Sequence, residues 1–211
     1  MYIAIEGVIG VGKTTLARLM QPYFDARLLL EIFEENPFLS DFYSDRARYA
    51  FQTQIFFLLS RYHQQHKGVR EALASNPWLL SDYTFEKDRL FAEVNLQGDE
   101  LNMYYNVHDA LAEKIIKPDL VVYLQADTDV LMQRIAQRDR PYERQMEIDY
   151  IHTLNLTYEK RFANHPSQNC LTINTNYLDY VRNPDDLEAV NQRIRQALKM
   201  APFQESLPID L

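Results

Sequence analysis

Residues 2–15 read YIAIEGVIGVGKTT, and no other stretch constrains the chain as much. Gly7-x-x-x-x-Gly12-Lys13-Thr14 has the spacing of a phosphate-binding loop. Its context fits: Tyr2–Glu6 reads as a short strand with β-branched Ile3 and Ile5, and residues 14–24 read as a helix. Gly7, Val8, Ile9, Gly10, Val11 and Gly12 would curl their backbone N–H groups around a nucleotide phosphate. The helix beginning at Lys13, Thr14 and Thr15 would add the positive end of its dipole. Lys13 would reach the β- and γ-phosphates, and the Thr14 hydroxyl would face a Mg²⁺ ion.

Length and charge narrow the remainder. A chain of 211 residues makes about one domain, taken here as residues 1–201 with a tail over 202–211. The net charge of −8 argues against wrapping polymeric nucleic acid. An acidic chain that binds phosphate must gather its cations locally. The single cysteine, Cys170, excludes an internal disulfide and any multi-cysteine metal site. No apolar run approaches the ~20 residues of a membrane span. The chain opens directly on a strand, with no leader pattern, so a cytoplasmic protein is expected.

Strand and helix patterns alternate. Strands are expected at Tyr2–Glu6, Leu28–Ile32, Trp78–Asp82, Leu120–Gln125 and Leu171–Asn174. Helices are expected near 14–24, 46–74, 84–96, 99–116, 128–138, 147–163 and 185–199. Several strands are almost continuously apolar, as a sheet covered on both faces requires. The fold class is therefore α/β: a P-loop kinase fold with a five-stranded parallel sheet, helices on both faces and a short arginine-bearing lid. Ligands gather at the C-terminal ends of such strands, so Glu31, Asp82, Asp127 and Asn174 are noteworthy. The helix near 46–74 is apolar on nearly every side, through Tyr49, Phe51, Ile55, Phe56, Phe57, Leu58, Leu59 and Tyr62. Such a helix is buried on more than one side, against either a second subunit or the rest of a monomer; a homodimer is expected.

The nucleotide-binding class follows by elimination. The chain has no Asn-Lys-x-Asp guanine motif and no apolar strand ending in Asp-Glu. What remains is a small phosphotransferase whose lid supplies arginines. Arg134-x-x-x-Arg138-x-Arg140 follows the fourth strand, with Arg134 and Arg138 on one helix face. These guanidinium groups could neutralise charge on a transferring phosphoryl group.

Further pieces then fall in order. Glu31 is followed by Glu35-Asn36-Pro37-Phe38-Leu39-x-x-Phe42-Tyr43, by Phe51-Gln52-Thr53-Gln54, by Leu59-Ser60-Arg61, and, after the lid arginines, by Glu143. In this order and spacing the chain resembles the deoxynucleoside kinase family, most of all its bacterial deoxyadenosine and deoxyguanosine kinases. The resemblance implies ATP as donor, Mg²⁺ as the accompanying ion, and the 5′-hydroxyl of a deoxynucleoside as acceptor. It implies that Glu31 is the base accepting the hydroxyl proton, with Lys13, Arg134, Arg138 and Arg140 as the catalytic cations. Tyr43 and Glu143 resemble the pair that holds the sugar 3′-hydroxyl. Gln54 would meet the base edge, Arg61 and Asp88 would form a charged pair at the far end of the base pocket, and Phe91 would stack on the base. Thr14 and Asp82 would stand on the Mg²⁺ side. Asn174, Thr175, Asn176 and Tyr177 resemble the loop that closes over the donor's purine.

One departure stands out. The family usually carries Asp-Arg-Ser or Glu-Arg-Ser at the end of the third strand, where this chain has Asp82-Tyr83-Thr84. Tyrosine supplies no cation. Lys87, one turn into the next helix, could return a charge to the same space. Two alternatives remain open at the sequence level. One is a nucleoside monophosphate kinase of the thymidylate kinase type; the other is a nucleotide-binding protein that has lost transfer activity.

Overall fold

The structure, a computed structural model, describes residues 1–33, 35–162 and 169–200. The expected tail over 202–211 lies outside the described residues. Five parallel strands form one sheet in the order β2-β3-β1-β4-β5. They are β1 (Tyr2–Glu6), β2 (Arg27–Leu29), β3 (Leu79–Ser81), β4 (Leu120–Gln125) and β5 (Cys170–Asn174). The helices are α1 (Lys13–Phe24), α2 (Leu39–Ser44), α3 (Arg46–Ser75), α4 (Glu86–Asn95), α5 (Gly98–Ala112), α6 (Thr128–Arg138), α7 (Ile148–Phe162) and α8 (Pro184–Ala197). A 3₁₀ turn, Pro141–Glu143, lies between α6 and α7.

The central strands are apolar because both of their faces are covered. Alternate residues of a strand point to opposite sides. Tyr2 and Ala4 cluster with Leu79 and with Val69 and Ala72 of α3. Ile3 and Ile5 belong to the main core with Leu16, Ala17 and Met20 of α1. The sheet therefore lies between α3 and α1.

The strand and helix order follows the sequence pattern, with shifts where side chains take over the backbone's hydrogen bonds. β2 was expected over Leu28–Ile32 but ends at Leu29. It is an edge strand, and its next two residues are claimed from outside the ladder. Gln64 Nε2 donates to Leu30 O at 2.7 Å, and Glu31 N donates to Asp82 Oδ1 at 2.8 Å. Glu31 therefore sits two residues past the strand rather than on its last position. β3 likewise stops at Ser81, one residue before Asp82. α4 begins at Glu86, two residues later than expected, because Thr84 N and Oγ1 both donate to the Glu6 carboxylate. α2 and the 3₁₀ turn carried no pattern long enough to read. α5 ends at Ala112 rather than near 116.

Candidate active site

The strand β1, the loop and α1 form the expected phosphate cradle. Gly7, Gly10 and Gly12 have φ of +146°, +87° and +101°, a region closed to most side chains. A Cβ on Gly7 would lie 2.5 Å from the Leu124 carbonyl oxygen, so the loop also needs glycine in order to pass β4. Lys13 folds over its own loop, donating from Nζ to Gly7 O at 2.7 Å and Val8 O at 3.0 Å. Burial, reinforced by the nearby Lys87 charge, lowers its pKa to about 8, despite the opposing carboxylates of Glu6, Glu31 and Asp82.

From the cradle a cleft of about 280 Å³ runs to the ends of β2 and β3. Its wall includes Ile9, Gly10, Gly12, Lys13, Thr14 and Thr15 from the loop. Glu31 and Asp82 come from just past the ends of β2 and β3, Tyr43, Arg61, Lys87 and Phe91 from α2, α3 and α4, and Arg138, Arg140 and Glu143 from the lid segment. The structure thus gathers most of the sequence-derived residues into one space. It also concentrates the positive charge that an acidic chain would need there.

Glu31 is the hub of the cleft. Arg61 from α3 donates to Glu31 Oε1 through Nε at 2.9 Å and through a terminal nitrogen at 2.6 Å. Lys87 from the first turn of α4 donates to Glu31 Oε2 at 2.5 Å. Burial would raise the pKa of Glu31, but the charges of Lys87 and Arg61 outweigh it and hold the carboxyl well below the usual range. Lys87 is itself buried, which a solvated helix lysine would not be. It grips the Glu31 carboxylate, although α4 starts only at Glu86 and Tyr83, from which its helical spacing was counted, lies outside the helix. Asp82 ties the two halves of the cleft together. One of its oxygens accepts from the Thr14 hydroxyl and the other from Glu31 N.

Behind the cleft wall, Arg61 also donates to Asp88, forming a buried charge pair. Burial pushes the Asp88 carboxyl upward, against the pull of Arg61. Gln54 and Asp88 are not on the open wall. They are buried behind it, and Gln54 Oε1 and Asp88 Oδ2 have no hydrogen-bond partner. Unpaired buried acceptors are costly, and a ligand donor would relieve them. On the lid side, Arg138 makes a bidentate pair with the buried Glu143, and Arg140 lies 3.7 Å from the same carboxylate. Tyr43 stacks on Tyr142 at 6.0 Å, and Arg140 lies over Phe33 at 4.2 Å.

Some expected residues lie elsewhere. Arg134 is not on the wall of this cleft, but it lines the adjoining hollow beside Gly10, Gly12 and Thr15 together with Arg138. Its guanidinium donates to Thr175 Oγ1 at 2.9 Å and Thr175 O at 2.6 Å, bracing the loop after β5. Asn174 and Asn176 serve turn and helix-start hydrogen bonds, and Tyr177 is 96 % exposed. The hollow beside Gly10, Val11 and Gly12 is lined by Arg134 and Arg138 of α6 and, from the loop after β5, by Leu178, Asp179, Tyr180 and Val181, a few residues further on. Tyr180 places its hydroxyl 3.3 Å from Val11 O. Sequence reading also missed Phe33, Tyr142 and Glu6. Glu6 carried a signal, as the one charge in an otherwise apolar strand. Phe33 and Tyr142 sit in irregular segments and carried none.

A parallel sheet in this order, a glycine-rich loop at a helix start and a carboxylate facing it across a cationic cleft define a P-loop phosphotransferase. A family model for deoxynucleoside kinase matches residues 3–199. The chain belongs to the deoxynucleoside kinase family. It is 32% identical to a deoxyguanosine kinase of Bacillus subtilis, over 93% of this chain and 97% of that one. It is 29% identical to a deoxyadenosine kinase of Dictyostelium discoideum, over 98% and 82%. The structure of a deoxyadenosine kinase from M. mycoides with bound dCTP superposes with a TM-score of 0.80 at 25% identity, covering 93% of this chain and all of that one.

Proposed function

We propose that the protein transfers the γ-phosphoryl group of ATP to the 5′-hydroxyl of a purine deoxyribonucleoside. The observation that carries this is Glu31, held ionised by Arg61 and Lys87 in the cleft that opens onto Lys13 and Thr14. In this reading Glu31 takes the proton of the 5′-hydroxyl as that oxygen bonds to the γ-phosphorus. The bond from γ-phosphorus to the β–γ bridging oxygen breaks, and ADP leaves. A carboxylate held so far below its usual pKa is a weak base. That suffices where bond-making is loose and orientation dominates.

Charge on the moving group falls to Lys13, Arg138, Arg140 and the N–H groups at the start of α1. Arg134 lines the hollow beside the phosphate loop with Arg138 and would add its charge from there while bracing the loop after β5. Thr14 and Asp82 offer the hard oxygen ligands that Mg²⁺ takes alongside phosphate oxygens, and their direct hydrogen bond puts the two at one spot. When bound, Mg²⁺ would neutralise charge on the β- and γ-phosphates.

Tyr43, with Glu143 behind the lid, would receive the sugar 3′-hydroxyl and crowd a ribose 2′-hydroxyl. Arg61 would meet the base from the cleft wall with Phe91 against its face, and Gln54 and Asp88, buried behind that wall, would read the base edge once the wall parts around the ligand. Buried acceptors on Gln54 and Asp88 suit a base rich in N–H donors and disfavour thymine. The names of the relatives, deoxyguanosine and deoxyadenosine kinases, support the same choice. A monophosphate acceptor would need a cation of its own. Arg61 and Lys87, the cations on the acceptor side, are both paired with Glu31. The reading carries with it a cytosolic setting and a homodimer; no described helix is long and apolar enough to cross a membrane.

The test is Glu31→Gln, which keeps shape and hydrogen bonding but removes basicity. kcat should fall by ~10²-fold or more, with KM little changed. An unaltered kcat would remove Glu31 from the role.

A further inference from the structure

Tyr83 occupies the place where the family's usual pattern has arginine, and its side chain makes one specific contact. Its ring is fully buried, and its hydroxyl donates to Gln64 Oε1 at 2.5 Å. The other end of that amide, Gln64 Nε2, donates to Leu30 O at 2.7 Å. Leu30 is the residue before Glu31. Tyr83's own backbone is fixed, because its carbonyl accepts from Ser81 Oγ at 2.8 Å.

We propose that Tyr83 and Gln64 form a positioning strut for Glu31. The short segment after β2 is then pinned at two successive peptides. Leu30 O is held by the strut, and Glu31 N is held by Asp82 Oδ1. Arg61 and Gln64, three residues apart on one face of α3, act on neighbouring parts of this segment. Arg61 grips the Glu31 carboxylate and Gln64 holds its backbone. The strut depends on the polarity of an amide. Gln64 presents N–H₂ to Leu30 only if its oxygen is engaged elsewhere, and the Tyr83 hydroxyl engages it. Burial raises the Tyr83 pKa well above its ordinary value, so the hydroxyl stays a donor. The cation that arginine would have supplied comes from Lys87, and position 83 is used for orientation. Neither Tyr83 nor Gln64 lines the cleft, so both act through Glu31.

This inference rests on Glu31 being the base, and a double-variant cycle separates the two ideas. Tyr83→Phe, Glu31→Gln and the double variant are assayed with ATP and deoxyadenosine, after thermal melting shows that each folds. Tyr83→Phe should lower kcat about tenfold with KM for ATP unchanged, because a displaced base costs rate rather than donor binding. In the Glu31→Gln background it should change kcat by less than about twofold, because the group it positions is no longer active. Full kcat in Tyr83→Phe, or losses that multiply in the double variant, would overturn the strut and leave Glu31 standing. Full kcat in Glu31→Gln would overturn both. If Tyr83→Phe does not fold, Gln64→Met on the half-exposed side of α3 replaces it in the same cycle, with the same expected and contrary results.

Discussion

Glu31 is gripped by two cations of different chemistry, and each is suited to its place. Arg61 presents a planar fork that spans Glu31 and Asp88, so it can order two carboxylates at once. Lys87 is a point charge on a flexible stem, and it reaches Glu31 from the first turn of α4. Removing Lys87 leaves a buried carboxylate with one partner fewer, so the Glu31 pKa should climb back toward the ordinary range. A carboxyl whose folded pKa is depressed contributes stability above its unfolded value and loses it as pH falls through the folded value. Lys87→Ala should therefore unfold at less acidic pH than the parent. Its acid limb of kcat/KM should move upward, and kcat/KM at neutral pH should fall at least ~10-fold, or ~1.4 kcal/mol. Lys87→Arg should retain more activity. A folded Lys87→Ala protein with full activity and an unmoved acid limb would show that the lysine grip is dispensable. Lys87 was legible in the sequence as a cation close to Tyr83, but its path to Glu31 was not, because α4 begins at Glu86 and Tyr83 lies outside the helix. The Tyr83–Gln64 contact was not legible, since nothing in a linear chain announces that two polar side chains will meet across a sheet edge.

At the level of elements, the phosphate loop is held by the sheet as much as by its own turn. Gly7 needs both a φ of +146° and room against the Leu124 carbonyl on β4. Gly98, at the start of α5, has a φ of +56° but nothing within 4 Å of an added Cβ. Gly7 combines backbone strain with crowding, whereas Gly98 carries the milder strain of the left-handed helical region alone. Gly7→Ala should cost ~2–3 kcal/mol in denaturant unfolding, and Gly98→Ala clearly less. Equal costs would mean that the approach to β4 contributes nothing. Long, periodic elements were readable from the chain: β1, β4, α3 and α6 fall close to their expected spans. The end of β2 was not, because side chains of Gln64 and Asp82 capture the backbone that would have continued the strand. The loop after β5 shows a related effect. Asn174 and Asn176 are turn-forming residues whose side chains serve the backbone, which leaves Leu178–Val181 beside the phosphate loop.

Over the whole molecule, a chain of net charge −8 builds a cationic cleft from Lys13, Arg61, Lys87, Arg138 and Arg140, drawn from the loop, α3, α4 and the lid segment. The charge was countable in the sequence, but its convergence was not, since the five residues span most of the chain. α3 shows the same division. Its all-round apolar pattern is partly explained by the packing of Ala50, Phe57, Leu58, Val69 and Ala72. Leu59 remains 43 % exposed, with Ile55 and Phe56 only partly covered. On the homodimer reading this face meets a second copy. Sedimentation should then give twice the chain mass of 25.0 kDa, and Leu59→Glu should shift the protein toward monomer. A parent protein that sediments as a monomer at all concentrations would contradict the dimer.

One steady-state panel tests the acceptor chemistry directly. The four deoxynucleosides, adenosine and the deoxynucleoside monophosphates are each offered with ATP and Mg²⁺, and ADP release is measured. Phosphorylation is expected for deoxyadenosine first, then deoxyguanosine or deoxycytidine, with thymidine poorest, adenosine well below deoxyadenosine, and monophosphates inert. Thymidine as the best acceptor, adenosine equal to deoxyadenosine, or a monophosphate turned over faster than any nucleoside would contradict that expectation.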